Sequence, residues 1–405
     1  MQFIRRSFSL IYIFLTVLLA AQTRTADPPV EPPDLGSRSA CLLDAATGTI
    51  IYTKNPDEPI PPASLTKLMT MHLALTEVEA GRAFLDEIVV LDQTSWAINQ
   101  PPRSSLMFLA QGQTVSLREL LLGLAVPSGN DAAVAVALRF APTVEYFAEA
   151  MTREARRMGL GLTRFREPSG ISEYNITTAR EFALFCREYL ILHPETLKNY
   201  HSVAEFDYPK AFNVPEPCRN RPGTIVQYNR NPLLGIVEGV DGLKTGYIDE
   251  AGYNIALTAE RRGTRFIAVI LGAPPGPQGE RIRAGDGRAL LDWAFDHYKT
   301  IRPETGELPP VRIWKGKTRQ GRIIPGAALE FTALTSRGKG LRWETETDDP
   351  LIAPLSAESP AGRLIFYDDA GELRRIPLVI GEDIEAGGFF RRLWDSIRLF
   401  FKRKS

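Results

Sequence analysis

Histidine and cysteine are scarce in this chain of 405 residues, which has four of the first and three of the second. His72, His193, His201 and His297 show no metal-ligand spacing such as His-x-x-x-His, so no metal or cofactor is expected. His72 is read as a core residue. There is no Gly-x-Ser-x-Gly elbow for a Ser-His-Asp triad and no glycine-rich phosphate loop. Cys41, Cys186 and Cys218 are too few for a disulfide scaffold and do not have zinc-finger spacing. They read as three buried thiols, with one bridge and a leftover thiol as the alternative. Charge of one sign is also missing. The 48 Lys and Arg balance 48 Asp and Glu, which removes the electrostatic basis for a nucleic-acid partner.

The basic residues are unevenly placed. Arg5 and Arg6 precede an apolar run from Phe8 to Ala21. This is the pattern of a secretory signal peptide over 1–21, cleaved near Ala21, and it implies export. The run is short for a span of about 20 apolar residues; an uncleaved anchor is the alternative. A Pro-rich linker is expected over 22–36. Two strands should flank the turn Ala46-Thr47-Gly48. Helical periodicity begins at Ser64, where Leu65, Leu68, Met69, His72, Leu73 and Thr76 share one face. Further helices are expected at 117–124, 131–138, 144–158, 178–190 and 287–298, and a strongly apolar hairpin at 252–274. Strands at both ends of a helical region predict an α/β domain over 37–301, a sheet covered by helices. From 302 to 386 short alternating runs broken by Gly, Pro and Asp predict a small all-β sandwich. The last segment, 387–405, follows a Gly-Gly hinge. Its aromatic and aliphatic residues fall in one helical arc and its basic residues in much of the rest, as in an interfacial membrane anchor. A terminal helix packed on its own domain is the alternative.

Chemistry could reside in "PPASLTKLMT". Ser64 and Lys67, three apart, share a helix face. A helix start there would favour a developing oxyanion, and a desolvated lysine beside another cation can act as base for serine. The spacing alone is weak, because Ser336 and Lys339 repeat it in the turn "TSRGKG". Two further motifs follow in order. Ser128-Gly129-Asn130 lies between two helical segments and offers a hydroxyl and an amide. Lys244-Thr245-Gly246, on an edge strand, offers a cation, a hydroxyl and a close backbone approach.

This ordered set resembles the signature of the penicillin-binding protein and serine β-lactamase superfamily. With "YNRNPLLG", "EPSGI…TTARE" and "VDGLKTGY…AGYNIAL", nearly the whole chain is similar to the low-molecular-mass D-alanyl-D-alanine carboxypeptidases. The resemblance implies a β-lactamase/transpeptidase-type catalytic domain, with an antiparallel sheet covered by helices. It implies that a peptidoglycan stem peptide ending in D-Ala-D-Ala acylates Ser64, that D-Ala leaves and that water releases the shortened peptide. β-Lactam antibiotics would inhibit by acylating the same serine. Lys67 would be the base, Ser128 the proton relay, Asn130 the holder of Lys67 and substrate, and Lys244 the source of positive field. Thr245, with Arg283, would bind the terminal carboxylate. Arg281 and Arg288 are alternatives to Arg283 across a variable loop. Backbone N–H groups of Ser64 and Tyr247, after Gly246, would form the oxyanion hole. Arg230 matches an arginine near the site. The enzyme would be periplasmic, peripheral on the outer face of the cytoplasmic membrane. Three positions depart from the family pattern. Tyr247 stands where histidine is common, Ile248 where threonine is common, and Glu167 where Asn or Asp is usual. Glu167 raises the rival reading of a serine β-lactamase with a deacylating glutamate. The same residues would also serve a DD-endopeptidase, and a catalytically dead scaffold is the non-enzymatic alternative.

Overall fold

The protein is described from a computed structural model over residues 30–216 and 223–402. The expected signal peptide, most of the linker and Cys218 lie outside the described residues.

Five antiparallel strands form the central sheet: β1 (Ser39–Asp44), β2 (Ile50–Lys54), β3 (Val240–Ile248), β4 (Gly252–Arg261) and β5 (Thr264–Ala273). Their order is β2-β1-β5-β4-β3, so β3, with Lys244 and Thr245, is an edge strand. Period-two alternation divides the side chains between two cores. Cys41, Leu43, Ile267, Val269 and Leu271 face a large helical cluster. Ala40, Leu42, Phe266, Ala268 and Ile270 face the other layer, with Leu290, Leu291 and Ala294. Both faces of the central strands are covered, which is why β4 and β5 read as almost unbroken apolar runs.

The helices are α1 (Thr66–Glu79), α2 (Leu117–Ala125), α3 (Asn130–Phe140), α4 (Val144–Arg157), α5 (Ala179–Leu192), α6 (Gly279–His297) and α7 (Phe389–Lys402). Side-chain oxygens of Ser116, Thr143 and Thr178 cap α2, α4 and α5, and Ser116 with Glu119 completes a capping box. Two helices differ from expectation. α1 does not present a single apolar face: Thr66 to His72, Ala74 and Leu75 are all buried, because helices and sheet surround it. α6 starts at Gly279, well before 287, and so takes in Arg283. Gly279, Gly285 and Gly287 weaken its helical signal. Gly287 is needed for packing, since a Cβ there would lie 2.6 Å from Leu257 Cδ1 on the sheet.

The expected linker does not run free to its end. Leu35 is buried, and the Gly36 and Ser37 N–H groups donate to Asp286 of α6 at 3.0 and 2.8 Å. After α6 the chain becomes all-β, with its own core around Ile313, Phe331, Leu364, Phe366, Leu378 and Ile380. A four-stranded sheet is built from Ile323–Pro325, Gly371–Ile380, Pro360–Asp368 and Arg342–Thr347, and a three-stranded one centres on Val311–Trp314. Strand pairing crosses the expected boundary at 302, because Tyr298–Ile301 pairs with Phe331–Leu334. Asp44 of β1 fastens the two regions, accepting from Thr300 Oγ1 at 2.8 Å and Thr332 Oγ1 at 2.9 Å. Cys41 and Cys186 are buried free thiols.

Candidate active site

Ser64 lies in a 3₁₀ turn, Ala63–Leu65, that leads into α1. Ala63 has φ of 51°, in the left-handed region, a strained arrangement of the kind found at functional turns. Three neighbours hold this turn. Asn254 Nδ2 donates to Pro61 O at 2.9 Å. Gly246 of β3 lies so close that a Cβ would sit 2.9 Å from both Pro62 O and Ser64 N. Gly170, at φ 86°, approaches from the other side, where a Cβ would fall 1.8 Å from Ala63 O. Only glycine fits between these backbones.

One turn after Ser64, at the second residue of α1, Lys67 is fully buried. Its Nζ donates to Ser64 Oγ at 3.1 Å, Asn130 Oδ1 at 2.8 Å and Ser169 O at 2.6 Å. Three acceptors satisfy an ammonium, yet removal from water brings the pKa down to about 7, against the pull of Glu167 and Asp131. The amine is therefore poised between base and acid at neutral pH.

Asn130 opens α3, and its Nδ2 donates to Ser104 Oγ at 3.2 Å. Ser128, two residues earlier, has φ of 67°, and its buried Oγ has no hydrogen-bond partner among the described residues. Lys244 is buried on β3, and its Nζ donates to Thr245 O at 3.0 Å. Burial first, then the charges of Lys67, Arg230 and Arg283, lowers its pKa well below the usual lysine value. Arg283 is buried, its Nε lacks a hydrogen-bond partner among the described residues, and its guanidinium lies 5.4 Å from the Tyr253 ring centre. Arg281 and Arg288 are exposed. Thr245 is buried, whereas Tyr247 is partly exposed and donates from its hydroxyl to Asp249 Oδ1 at 2.5 Å.

Ser64, Asn130, Gly170 and Tyr247 line a cleft of about 320 Å³ together with Ser104 and Ser105. The same two serines line a neighbouring cleft of about 390 Å³ that holds Arg230, Tyr228 and Phe108. Arg230 thus belongs to an extension of the site and does not line the Ser64 cleft itself. Ser336 and Lys339 lie in the β region, outside this cleft.

Glu167 is turned into its own loop. Oε2 accepts from the N–H and Oγ of Ser169, both at 2.6 Å, and Oε1 from Gly170 N at 2.7 Å and Asn175 Nδ2 at 2.8 Å. It shapes the loop whose Ser169 carbonyl accepts from Lys67. Asp131 acts in a similar way and was not anticipated. Its carboxylate accepts from the N–H groups of Met107, Phe108 and Leu109 at 2.8 to 3.0 Å, which fixes the segment beside the cleft. The only sequence signal for it is an acid in the first turn of α3.

A serine bonded to a buried lysine at the start of a central helix, an amide from a second helix and a cationic edge strand define the penicillin-binding class of serine acyl-transfer enzymes. The family model for D-alanyl-D-alanine carboxypeptidases (peptidase S11) matches residues 24–275, and the chain belongs to that family of serine-type hydrolases. A D-alanyl-D-alanine carboxypeptidase, DacC, from Escherichia coli K12 is 33% identical over 391 residues, covering 95% of this chain and 93% of that protein. Penicillin binding protein 5 from Haemophilus influenzae superposes with a TM-score of 0.77 at 29% identity, covering 88% of this chain and 100% of that one. Penicillin-binding protein D2 from Listeria monocytogenes in its cefotaxime-bound form gives a TM-score of 0.56 at 28% identity, covering 65% of this chain and 99% of that one.

Proposed function

We propose that the chain removes the terminal D-Ala from peptidoglycan stem peptides through an acyl-enzyme on Ser64, and that β-lactams acylate the same oxygen. Neutral Lys67 accepts the Ser64 Oγ proton as that oxygen attacks the carbonyl carbon of the penultimate D-Ala. The N–H groups of Ser64 and Tyr247 stabilise the oxyanion. As the C–N bond breaks, the proton passes from Lys67 through Ser128 Oγ to the leaving amine. Asn130 holds Lys67 and the substrate amide, and Lys244, Thr245 and Arg283 receive the terminal carboxylate. Water then attacks the ester, and Ser64 recovers its proton. The observation that carries this reading is the 3.1 Å contact between Ser64 Oγ and a fully buried Lys67 amine. Fluorescent penicillin should label the wild type and leave Ser64→Ala unlabelled, and only the wild type should release D-Ala from a pentapeptide ending in D-Ala-D-Ala. Labelling of Ser64→Ala would remove Ser64 from its role.

Glu167 bears on the β-lactamase alternative. Its carboxylate is engaged by five donors within its own loop, which supports slow deacylation. A penicilloyl-enzyme lost within seconds would favour the β-lactamase.

We further infer that 387–405 attaches the enzyme peripherally to the outer face of the cytoplasmic membrane, in the periplasm. α7 exposes Phe389, Phe390, Leu393, Trp394, Ile397, Phe400 and Phe401. Among the described residues no helix is long and apolar enough to cross a membrane. An exposed apolar arc of this kind is suited to the interface.

A further inference from the structure

α7 is held to the small β region by one narrow face. Asp395 Oδ2 accepts from Lys315 N at 2.7 Å, Leu399 is buried, Lys402 pairs with Asp349, and Gly387 N donates to Lys315 O at 2.8 Å. The Gly-Gly pair is therefore no free hinge at Gly387. Beside this face lies a cavity of about 570 Å³. Arg312 and Arg319 line it from the β region, and Arg391, Arg398, Trp394 and Asp395 from the helix.

Four arginines thus line one cavity that has a single acidic residue. That carboxylate is occupied by Lys315 N–H and by Arg391, whose Nε lies 3.4 Å away in ion-pair contact without a hydrogen bond. Two of the arginines are positioned by aromatic rings, which hold a cation without neutralising it. Arg312 lies 3.7 Å from the Trp314 ring centre, and Arg398 lies 5.7 Å from that of Trp394. Planar, paired donors of this sort match the oxygens of a phosphate. The location selects the source of the phosphate. At 100° per residue, Arg391 and Arg398 fall between the docked positions, Asp395 and Leu399, and the exposed apolar arc. Trp394 belongs both to that arc and to the cavity wall. A phosphate in the cavity would be continuous with acyl chains lying along the apolar arc.

We propose that this cavity binds the headgroup phosphate of an anionic phospholipid. The proposal rests on the membrane reading above and adds a composite site, in which two arginines outside the anchor helix select the lipid. The full chain is sedimented with vesicles of phosphatidylcholine alone and of phosphatidylcholine containing phosphatidylglycerol. Near an anionic surface each basic residue contributes roughly a fivefold gain in affinity. The wild type should prefer the anionic vesicles by tenfold or more. Arg312→Gln with Arg319→Gln should remove most of that preference, up to roughly 25-fold, Arg319→Gln alone a smaller part, and both should bind neutral vesicles as the wild type does. Arg363→Gln with Arg374→Gln, an equal loss of charge elsewhere on the β region, should keep the preference. If neither vesicle binds, the membrane reading falls and the proposal with it. If both bind equally, or the Arg312/Arg319 pair behaves like the control pair, the anchor stands and the headgroup site does not. If soluble glycerol phosphate competes as well as phosphatidylglycerol at equal concentration, the site serves free phosphate and the lipid assignment is overturned.

Discussion

At the scale of single residues, the protonation of Lys67 sets the behaviour of the site. Burial lowers its pKa to about 7, so the neutral amine is the minor form below that pH and the major form above it. Acylation by a slow β-lactam should therefore rise with pH through about 7 and then level off, as a pH–rate profile will show. Lys67→Arg should abolish acylation, because guanidinium stays protonated throughout this range. Glu167→Gln removes a negative charge that raises the Lys67 pKa, so the acidic limb should move to lower pH, with the penicilloyl-enzyme no longer lived than before. A markedly longer life would mean that Glu167 does assist deacylation. Ser64, Lys67 and Asn130 were legible because their side chains act and their motifs are short. The Ser169 carbonyl was not, since any residue supplies a carbonyl and 102 positions separate it from Lys67. Asp131 was missed for a related reason: its partners are backbone groups 22 to 24 positions away.

At the scale of elements, the nucleophile turn depends on two backbones that press on it from opposite sides. Gly170→Ala would place a methyl group against Ala63 O and force a residue with a Cβ to hold a positive φ. The expected loss is about 3 kcal/mol of stability together with most β-lactam labelling, measurable by denaturant unfolding and by gel. Gly246→Ala meets gentler contacts of 2.9 to 3.0 Å and should impair labelling more than stability. Helices α2 to α5 were legible from their helical patterns. α1 misled because a central helix is buried on nearly every side, and the start of α6 was hidden by glycines, of which Gly287 is packed against the sheet.

At the scale of the whole molecule, the acylating machinery and α7 sit on separate parts of the fold. A chain ending at Gly387 should label with penicillin as the full chain does and should leave the membrane fraction, as sedimentation of a cell extract will show. The change of texture near 302 was readable. The strand Tyr298–Ile301 was not, because its partner Phe331–Leu334 comes later in the chain. The crowding of Lys67, Lys244, Arg230 and Arg283 also has a thermodynamic consequence. Burial first, and then these neighbouring cations, lowers the pKa of Lys244. A substrate that brings a carboxylate among them favours the ammonium forms, and because the Lys67 pKa lies at about 7, docking at neutral pH should draw a proton from solution. Binding of a D-Ala-D-Ala peptide to Ser64→Ala, followed by calorimetry at neutral pH, should therefore show a heat that changes with the ionisation enthalpy of the buffer. The affinity of this enzyme for its substrate would then be linked to the acidity of the surrounding solution before any bond is cut.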